Sequence, residues 1–292
     1  MTKRIEVDGH TELYGLFAYP AKHSLSPLMH NHSFEKNGIN AKYLAFDIGP
    51  DDTQAAIQAI KTLDLKGVNL SMPFKQKVIP YLDHITERAE LLQSVNVIKN
   101  EQGVLTGDSV DGAGFFESLE ASGINPKHQT LTIFGAGGAG LSIIQAAIDH
   151  GAKEINVFKR HGKNFDTVKH QLELMNDGHA GDVNLIDYDD ETTMIEKIKV
   201  SQIVINSTNL GMGDYQAQMP APPGVLAALT NQVVCDVIYS PAKTKFLEFA
   251  KEQGCTIFNG LGMLVYQGAL SFKWWTNTEM PVDEIKQLIL ER

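Results

Sequence analysis

The stretch Leu131-Thr-Ile-Phe-Gly-Ala-Gly-Gly-Ala-Gly140 runs from an apolar segment into a glycine-rich loop, and a helical pattern follows to His150. Its glycines match G-x-G-x-x-G. In a dinucleotide-binding turn the first glycine permits the bend, the second lets the backbone approach a pyrophosphate, and the third permits close packing of helix on strand. The flanking strand and helix are the context that this motif requires. We therefore predict a dinucleotide site, with a structural glycine turn as the alternative, formed by Gly135, Ala136, Gly137, Gly138 and Ala139.

The end of the next predicted strand indicates which dinucleotide binds. Ile155-Asn-Val-Phe158 is followed by Lys159-Arg-His-Gly-Lys163, a stretch without an acid. A site that prefers NAD usually has an acid about 20 residues after the loop, bonded to the ribose 2′-OH. Cations suit a 2′-phosphate instead. We predict NADP(H), held in part by Lys159 and Arg160, with NAD(H) as a second cofactor; an ordinary solvated basic loop is the alternative.

The rest of the chain predicts a two-domain α/β protein. The 292 residues are enough for two ordinary domains. Strands and helices alternate in the first part, which favours a mainly parallel sheet. We expect an α/β domain over residues 1–112, a Rossmann-type doubly wound NAD(P)-binding domain over 113–264, and C-terminal helices over 265–292 that fold back on the first domain. The site would lie in the cleft between the two domains.

Two local patterns predict how particular elements begin or turn. Ser26-Pro27 reads as a helix start, with the serine as N-cap and the proline at the first helical position. Gln102-Gly103 separates two β-rich runs and predicts a hairpin.

Composition excludes several function classes. The net charge of −10 argues against a nucleic-acid partner, which would require a basic face. No apolar run is long enough to span a bilayer, and we expect a cytoplasmic protein. Cys235 and Cys255 are expected to be small buried apolar residues. The ten histidines show no metal-ligand spacing, so no metal site is predicted.

Five polar clusters stand where a sequence that only builds a core would not need them. They are His23-Ser-Leu-Ser-Pro27, Asn69-Leu-Ser-Met-Pro-Phe-Lys75, Gly107-Asp-Ser-Val-Asp-Gly112, Asn206-Ser-Thr208 and Gly260-Leu-Gly-Met-Leu-Val-Tyr-Gln267. With the glycine loop they resemble, in order, the motifs of the shikimate dehydrogenase family, including its quinate/shikimate branch. The resemblance covers the chain from about Tyr14 to Gln267. It implies reduction of 3-dehydroshikimate to shikimate by NADPH in aromatic amino-acid biosynthesis, and a homodimer.

The resemblance also implies roles for individual residues. Lys75 and Asp111 match the catalytic pair, and we assign proton transfer to the pair rather than to either member. Substrate contacts are implied for Ser24, Ser26, Ser71, Asn96, Tyr239 and Gln267. Further cofactor contacts are implied for Thr208, Val237 and Gly260.

The chain departs from the family pattern at Lys159-Arg160, where the family usually has Asn-Arg, and at two positions in Gly107-Asp-Ser-Val-Asp-Gly112. Ser109 replaces an asparagine, and Val110 replaces a threonine whose hydroxyl touches the substrate in some members. A lost hydrogen bond is worth about 0.5–1.5 kcal/mol. The exact substrate therefore stays open at this point.

The residues fit the chemistry of ketone reduction. A lysine can protonate or stabilise the developing alkoxide, and an aspartate beside it can orient the ammonium group. The alternatives are a quinate/shikimate dehydrogenase that uses NAD or both cofactors, a non-catalytic shikimate- or dinucleotide-sensing protein, and another two-domain dehydrogenase, such as one acting on a folate. Retention of Lys75 and Asp111 counts against the sensor.

Overall fold

A computed structural model of the protein describes residues 6–291. The chain forms two compact units, the first containing the residues up to Val110 and those from Val265 onward, the second Asp111–Leu264. Each unit has its own six-stranded sheet. The predicted α/β class is confirmed.

The first unit is built on a mixed sheet. Its elements are β1 (Glu12–Ala18), α1 (Ser26–Asn37), β2 (Ala41–Asp47), α2 (Thr53–Thr62), β3 (Gly67–Leu70), α3 (Phe74–Lys77), β4 (His84–Ile85), α4 (Glu87–Leu92), β5 (Val97–Glu101) and β6 (Val104–Asp108). The strand order is β2-β1-β3-β5-β6-β4. β1 is parallel to β2 and β3, whereas β5 is antiparallel to β3 and β6. The predicted parallel arrangement therefore holds for the first three strands, and the β5–β6 hairpin changes direction.

The hairpin turn was correctly predicted. Gln102 and Gly103 both have positive φ, at 56° and 90°. Two positive φ angles in a two-residue loop match the twist of antiparallel strands. The Asn100 Oδ1 atom accepts the Gly103 N–H at 2.8 Å and closes the turn.

The predicted capping role of Ser26 is wrong. Ser26 is the first residue of α1, Leu25 occupies the N-cap position, and no side chain caps the helix there. Ser26 is only 6% exposed. The Ser24 Oγ atom instead accepts the Ser26 N–H at 3.2 Å. The Ser24 hydroxyl, rather than Ser26, therefore binds the backbone at the start of α1.

The second unit is a doubly wound parallel sheet. Its elements are α5 (Asp111–Glu120), β7 (Thr130–Phe134), α6 (Gly138–Asp149), β8 (Glu154–Lys159), α7 (Phe165–Met175), β9 (Asp182–Asp187), α8 (Glu191–Val200), β10 (Ile203–Asn206), α9 (Pro223–Leu226), β11 (Val233–Asp236), α10 (Lys245–Glu252) and β12 (Thr256–Phe258). The order β9-β8-β7-β10-β11-β12 is that of a Rossmann-type sheet, and every strand pair is parallel. The order reverses between β7 and β10. In such sheets ligands bind at this reversal, beyond the carboxyl ends of the strands.

The chain returns to the first unit through α11 (Leu261–Thr276) and ends in α12 (Val282–Leu290). The Trp275 indole N–H donates to the Ile98 carbonyl at 3.0 Å. A Cβ atom at Gly67 would lie 2.4 Å from the Trp275 ring, so the helix packs directly on β3. Both cysteines are buried and unpaired, as predicted.

Candidate functional site

The glycine loop joins β7 to α6 at the reversal point of the second sheet. Gly135 has φ +95°, a left-handed conformation that favours glycine. A Cβ atom at Gly140 would lie 2.7 Å from the Gly135 carbonyl oxygen, so this glycine permits close packing. Gly137 and Gly138 are exposed, and a Cβ atom on either would meet nothing within 4 Å. The loop thus leaves an open cradle before the N-terminus of α6, where free N–H groups favour a phosphate.

A hydrogen-bonded group of side chains lies next to the glycine loop. The Asn206 Oδ1 atom accepts the backbone N–H and the hydroxyl of Thr208, at 3.0 and 2.7 Å. Its Nδ2 atom donates to Asp236 at 3.2 Å. Thr208, predicted to contact the cofactor, is therefore held beside the Cβ position of Gly135, 2.8 Å from its methyl group.

Asp236 is a buried acid that the sequence analysis did not single out. Besides Asn206, it accepts the Ile238 N–H at 3.0 Å and the Thr244 hydroxyl at 2.8 Å. Burial raises the pKa of Asp236 to about 6, and the three donors oppose this shift. An acid at the end of a buried strand was the signal available in the sequence. The hydrogen bonds of Asp236 join the end of β10 to the loop after β11.

Gly260 packs against Val237, another residue that we predicted to bind the cofactor. Its N–H donates to the Ile238 carbonyl at 3.0 Å. A Cβ atom there would lie 2.0 Å from the carbonyl oxygen of Val237, which is backbone and cannot move aside cheaply. Glycine at 260 is thus required by the approach of α11 to the loop after β11.

The basic stretch follows β8. Lys159 is half-buried and its ammonium group donates to the Asn164 Oδ1 atom at 2.8 Å, while Arg160 is exposed. Burial, with the nearby Arg160 charge, lowers the pKa of Lys159. Asp187, on the neighbouring strand β9, pairs with His161 at 3.4 Å. The exposed Arg160 is therefore our candidate for a cation that binds an anionic ligand.

In the first unit, two hydrogen bonds bring together three of the predicted active-site segments. The Lys75 carbonyl accepts the Val95 N–H at 2.8 Å, next to Asn96. The Asn96 Oδ1 atom accepts the Val110 N–H at 2.8 Å. Asp111 follows Val110 directly in the chain. Lys75, Asn96 and the chain entering Asp111 are therefore joined by short links.

Ser109 and Val110, which depart from the family pattern just before Asp111, are both buried. Ser109 is 1% exposed and Val110 is 5% exposed. The neighbouring Asp108 accepts the Ser109 N–H at 2.7 Å and pairs with Arg88. Hydrogen bonds thus hold the backbone on both sides of the peptide that joins Ser109 to Val110, and the side chain at 110 is apolar.

The remaining predicted residues fall in both units. Ser24 and Ser71 are half-buried in the first unit. Gln267 lies on α11, two turns before Trp275, in the same unit. Asp111 and Tyr239 belong to the second unit, as do all the residues predicted to bind the cofactor. Burial raises the pKa of the half-buried Tyr239.

No group of three histidine, cysteine or acidic side chains within residues 6–291 is arranged to hold a metal ion. No helix in the same range has the length and apolar character needed to cross a membrane.

Known proteins resemble this chain over its whole length. The shikimate dehydrogenase substrate binding domain family matches residues 16–98, and the shikimate 5′-dehydrogenase C-terminal domain family matches residues 260–290. The shikimate dehydrogenase (NADP(+)) of Listeria monocytogenes is 41% identical, covering 99% of this chain and 100% of its own. That of Streptococcus sanguinis is 42% identical, covering 98% and 99%.

A solved structure shows the same similarity. The crystal structure of shikimate 5-dehydrogenase from Listeria monocytogenes in complex with shikimate and NAD superposes with a TM-score of 0.91. Its sequence is 40% identical, and 99% of each chain is covered.

Proposed function

The chain belongs to the shikimate dehydrogenase family, and on that premise we propose that it catalyses the reversible NADPH-dependent reduction of 3-dehydroshikimate to shikimate. The first unit would bind the substrate and the second the cofactor. The observation that carries the proposal is the set of short links joining Lys75, Asn96 and the chain before Asp111. These links hold the backbone of Lys75 near the segment that leads into Asp111, which supports their assignment as a pair.

Each group would have a defined part in the reaction. NADPH, bound at the open cradle of the glycine loop, supplies the hydride. Lys75 and Asp111 would together deliver the proton to the carbonyl oxygen of the substrate and remove it in the reverse direction. Ser24 and Ser26 would bind the substrate carboxylate, and Ser71, Asn96, Tyr239 and Gln267 the ring hydroxyls and their surroundings. We further expect a cytoplasmic homodimer, from the family resemblance.

A steady-state assay tests the proposal directly. The purified protein is expected to reduce NADP with shikimate, and to do so with a kcat/KM at least about tenfold higher than with NAD, an advantage of about 1.4 kcal/mol. Quinate with each cofactor forms the second arm, because the buried Val110 leaves the choice of ring substituent open. Turnover of quinate in preference to shikimate would favour the quinate/shikimate branch. No turnover with any pair would contradict both dehydrogenase functions.

Replacing Arg160 tests the choice of cofactor. Arg160→Ala is expected to raise the KM for NADP about tenfold or more, because a charge-assisted bond to the 2′-phosphate is lost, and to leave the KM for NAD nearly unchanged. Lys153→Ala is the matched control, since it removes an exposed cation just before the opposite end of β8. Equal effects of Arg160→Ala on both cofactors would show that Arg160 does not read the phosphate.

A further inference from the structure

Asn69 lies at the centre of a buried hydrogen-bond network in the first unit. Its side chain belongs to β3 and is 5% exposed. The Tyr43 hydroxyl donates to its Oδ1 atom at 2.9 Å. Its Nδ2 atom donates to the Ser271 Oγ atom at 2.9 Å and to the Asn96 carbonyl at 3.4 Å. Both ends of the amide therefore have partners within the protein.

The direction of each hydrogen bond follows from what each group can donate. The Gln267 carbonyl is only an acceptor, and the Ser271 hydroxyl donates its single proton to it at 2.9 Å. Ser271 can then only accept from Asn69, which places the amide nitrogen on that side. The amide oxygen faces Tyr43, whose proton must point toward it. This arrangement admits one orientation of the Asn69 side chain.

The network connects four segments that carry predicted substrate contacts. β3 continues into Ser71, and α11 carries Gln267 one turn before Ser271. The Asn96 carbonyl receives Asn69 and also the Leu70 N–H, at 2.8 Å. The fourth segment is α1, which is attached through Tyr43 on β2.

Two contacts attach α1 to Tyr43. The Asn31 amide, on α1, bonds both the N–H and the carbonyl of Tyr43, at 2.9 and 2.8 Å. The helix that presents Ser24 and Ser26 is therefore coupled to Asn69 through one buried tyrosine.

We propose that Asn69 is a positioning residue that sets the relative placement of the substrate-binding segments without touching the substrate. The proposal rests on the proposed function, because it takes those segments to bind shikimate. Asn69→Leu removes both ends of the amide at nearly constant size. It is expected to raise the KM for shikimate about tenfold or more, since small displacements of positioning groups have large kinetic effects. The KM for NADP should change less than about twofold, because the glycine loop is in the other unit.

A triple variant separates positioning from stability. Asn69→Leu combined with Tyr43→Phe and Ser271→Ala removes the unpaired groups that the single substitution leaves, and the Asn96 carbonyl keeps the Leu70 N–H. Replacing all partners by apolar groups is far less destabilising than orphaning one. The triple variant is therefore expected to regain most of the melting temperature lost by Asn69→Leu while keeping the raised KM for shikimate.

Asn100 offers a matched control. It is 7% exposed in the same unit and also bonds two backbone groups, the Leu65 carbonyl at 2.9 Å and the Gly103 N–H at 2.8 Å. Neither of these two partners belongs to the Asn69 network. Asn100→Leu is expected to lower the melting temperature without raising the KM for shikimate.

Two results would overturn the positioning role while wild-type activity is normal. One is an unchanged KM for shikimate in Asn69→Leu. The other is recovery of KM together with melting temperature in the triple variant, which would reduce Asn69 to a structural residue. Absence of shikimate turnover by the wild-type protein would instead contradict the proposed function, and the Asn69 proposal with it.

Discussion

Lys75→Met is expected to lower kcat for shikimate oxidation by about 10²–10⁴-fold, the usual contribution of a positioned proton-transfer group. Methionine keeps much of the length of the lysine stem and removes only the ammonium group. Lys75 is half-buried on the short helix α3, and its carbonyl is fixed by Val95. The backbone should therefore stay in place, and the KM for NADP should change by less than about twofold.

The same helix provides the control. Lys77 lies two residues further along α3 and is exposed. Lys77→Met removes the same charge from the same element and should leave kcat close to that of the wild-type protein. A Lys75→Met enzyme with near-normal kcat would exclude Lys75 from the proton-transfer step.

The pair with Asp111 can be tested by combining substitutions. If Lys75 and Asp111 act together, Asp111→Asn should also reduce kcat by orders of magnitude. The double variant should then be little worse than Lys75→Met alone, because effects of residues that act as a unit are not additive. Multiplicative losses would instead indicate two independent roles.

The glycine loop shows what the sequence was able to predict. The positions of Gly135, Gly137 and Gly140 correspond to a left-handed turn, an open cradle and a close helix–strand approach. Each requirement is local, because it depends on neighbouring backbone and on the absence of a Cβ atom. Strand β9 was not predicted, since Asp182–Asp187 is half-buried at a sheet edge and has no continuous apolar run.

The groups that support the candidate site could not be predicted in the same way. Asp236 bonds Asn206, thirty residues earlier, and Asn69 bonds Ser271, more than two hundred residues later. A polar residue in a buried strand signals that a partner exists, but only the fold identifies it. Ser26 shows the reverse case. Its local pattern favours a helix cap, yet Leu25 occupies the N-cap position and the buried Ser26 lies in the first turn of α1.

His30 stacks on Tyr43, a member of the Asn69 network, and leads to a second prediction, on stability. It is fully buried, stacks on Tyr43 with the ring centroids 4.4 Å apart, and is enclosed by further aromatic rings, those of Phe34, Phe272 and Trp275. Neither ring nitrogen has a hydrogen-bond partner in the described part of the chain. Burial lowers the pKa of His30 from 6.5 to about 3; the Asn69 side chain opposes the shift but forms no hydrogen bond with the ring.

The direction in which pH changes the free energy of unfolding follows from the protonation of His30 in the folded and unfolded states. Below pH 6.5 the unfolded chain binds a proton at His30, and the folded protein does not until about pH 3. The contribution of neutral His30 to the free energy of unfolding is thus fully present above pH 6.5. It is lost as the pH falls toward 3, at about 1.4 kcal/mol per pH unit. At pH 5 the free energy of unfolding should be lower by roughly 2 kcal/mol from this residue alone.

Urea unfolding at pH 7 and pH 5 measures this loss. Both tryptophans, Trp274 and Trp275, lie on α11 in the first unit, so their fluorescence reports on the unit that contains His30. His30→Leu should abolish roughly 2 kcal/mol of the pH-dependent loss, because leucine cannot bind a proton. His170→Leu removes a histidine whose side chain is 73% exposed and should keep the wild-type pH dependence. If the wild-type protein and His30→Leu lost the same free energy between pH 7 and pH 5, His30 would have to be protonated in the folded state.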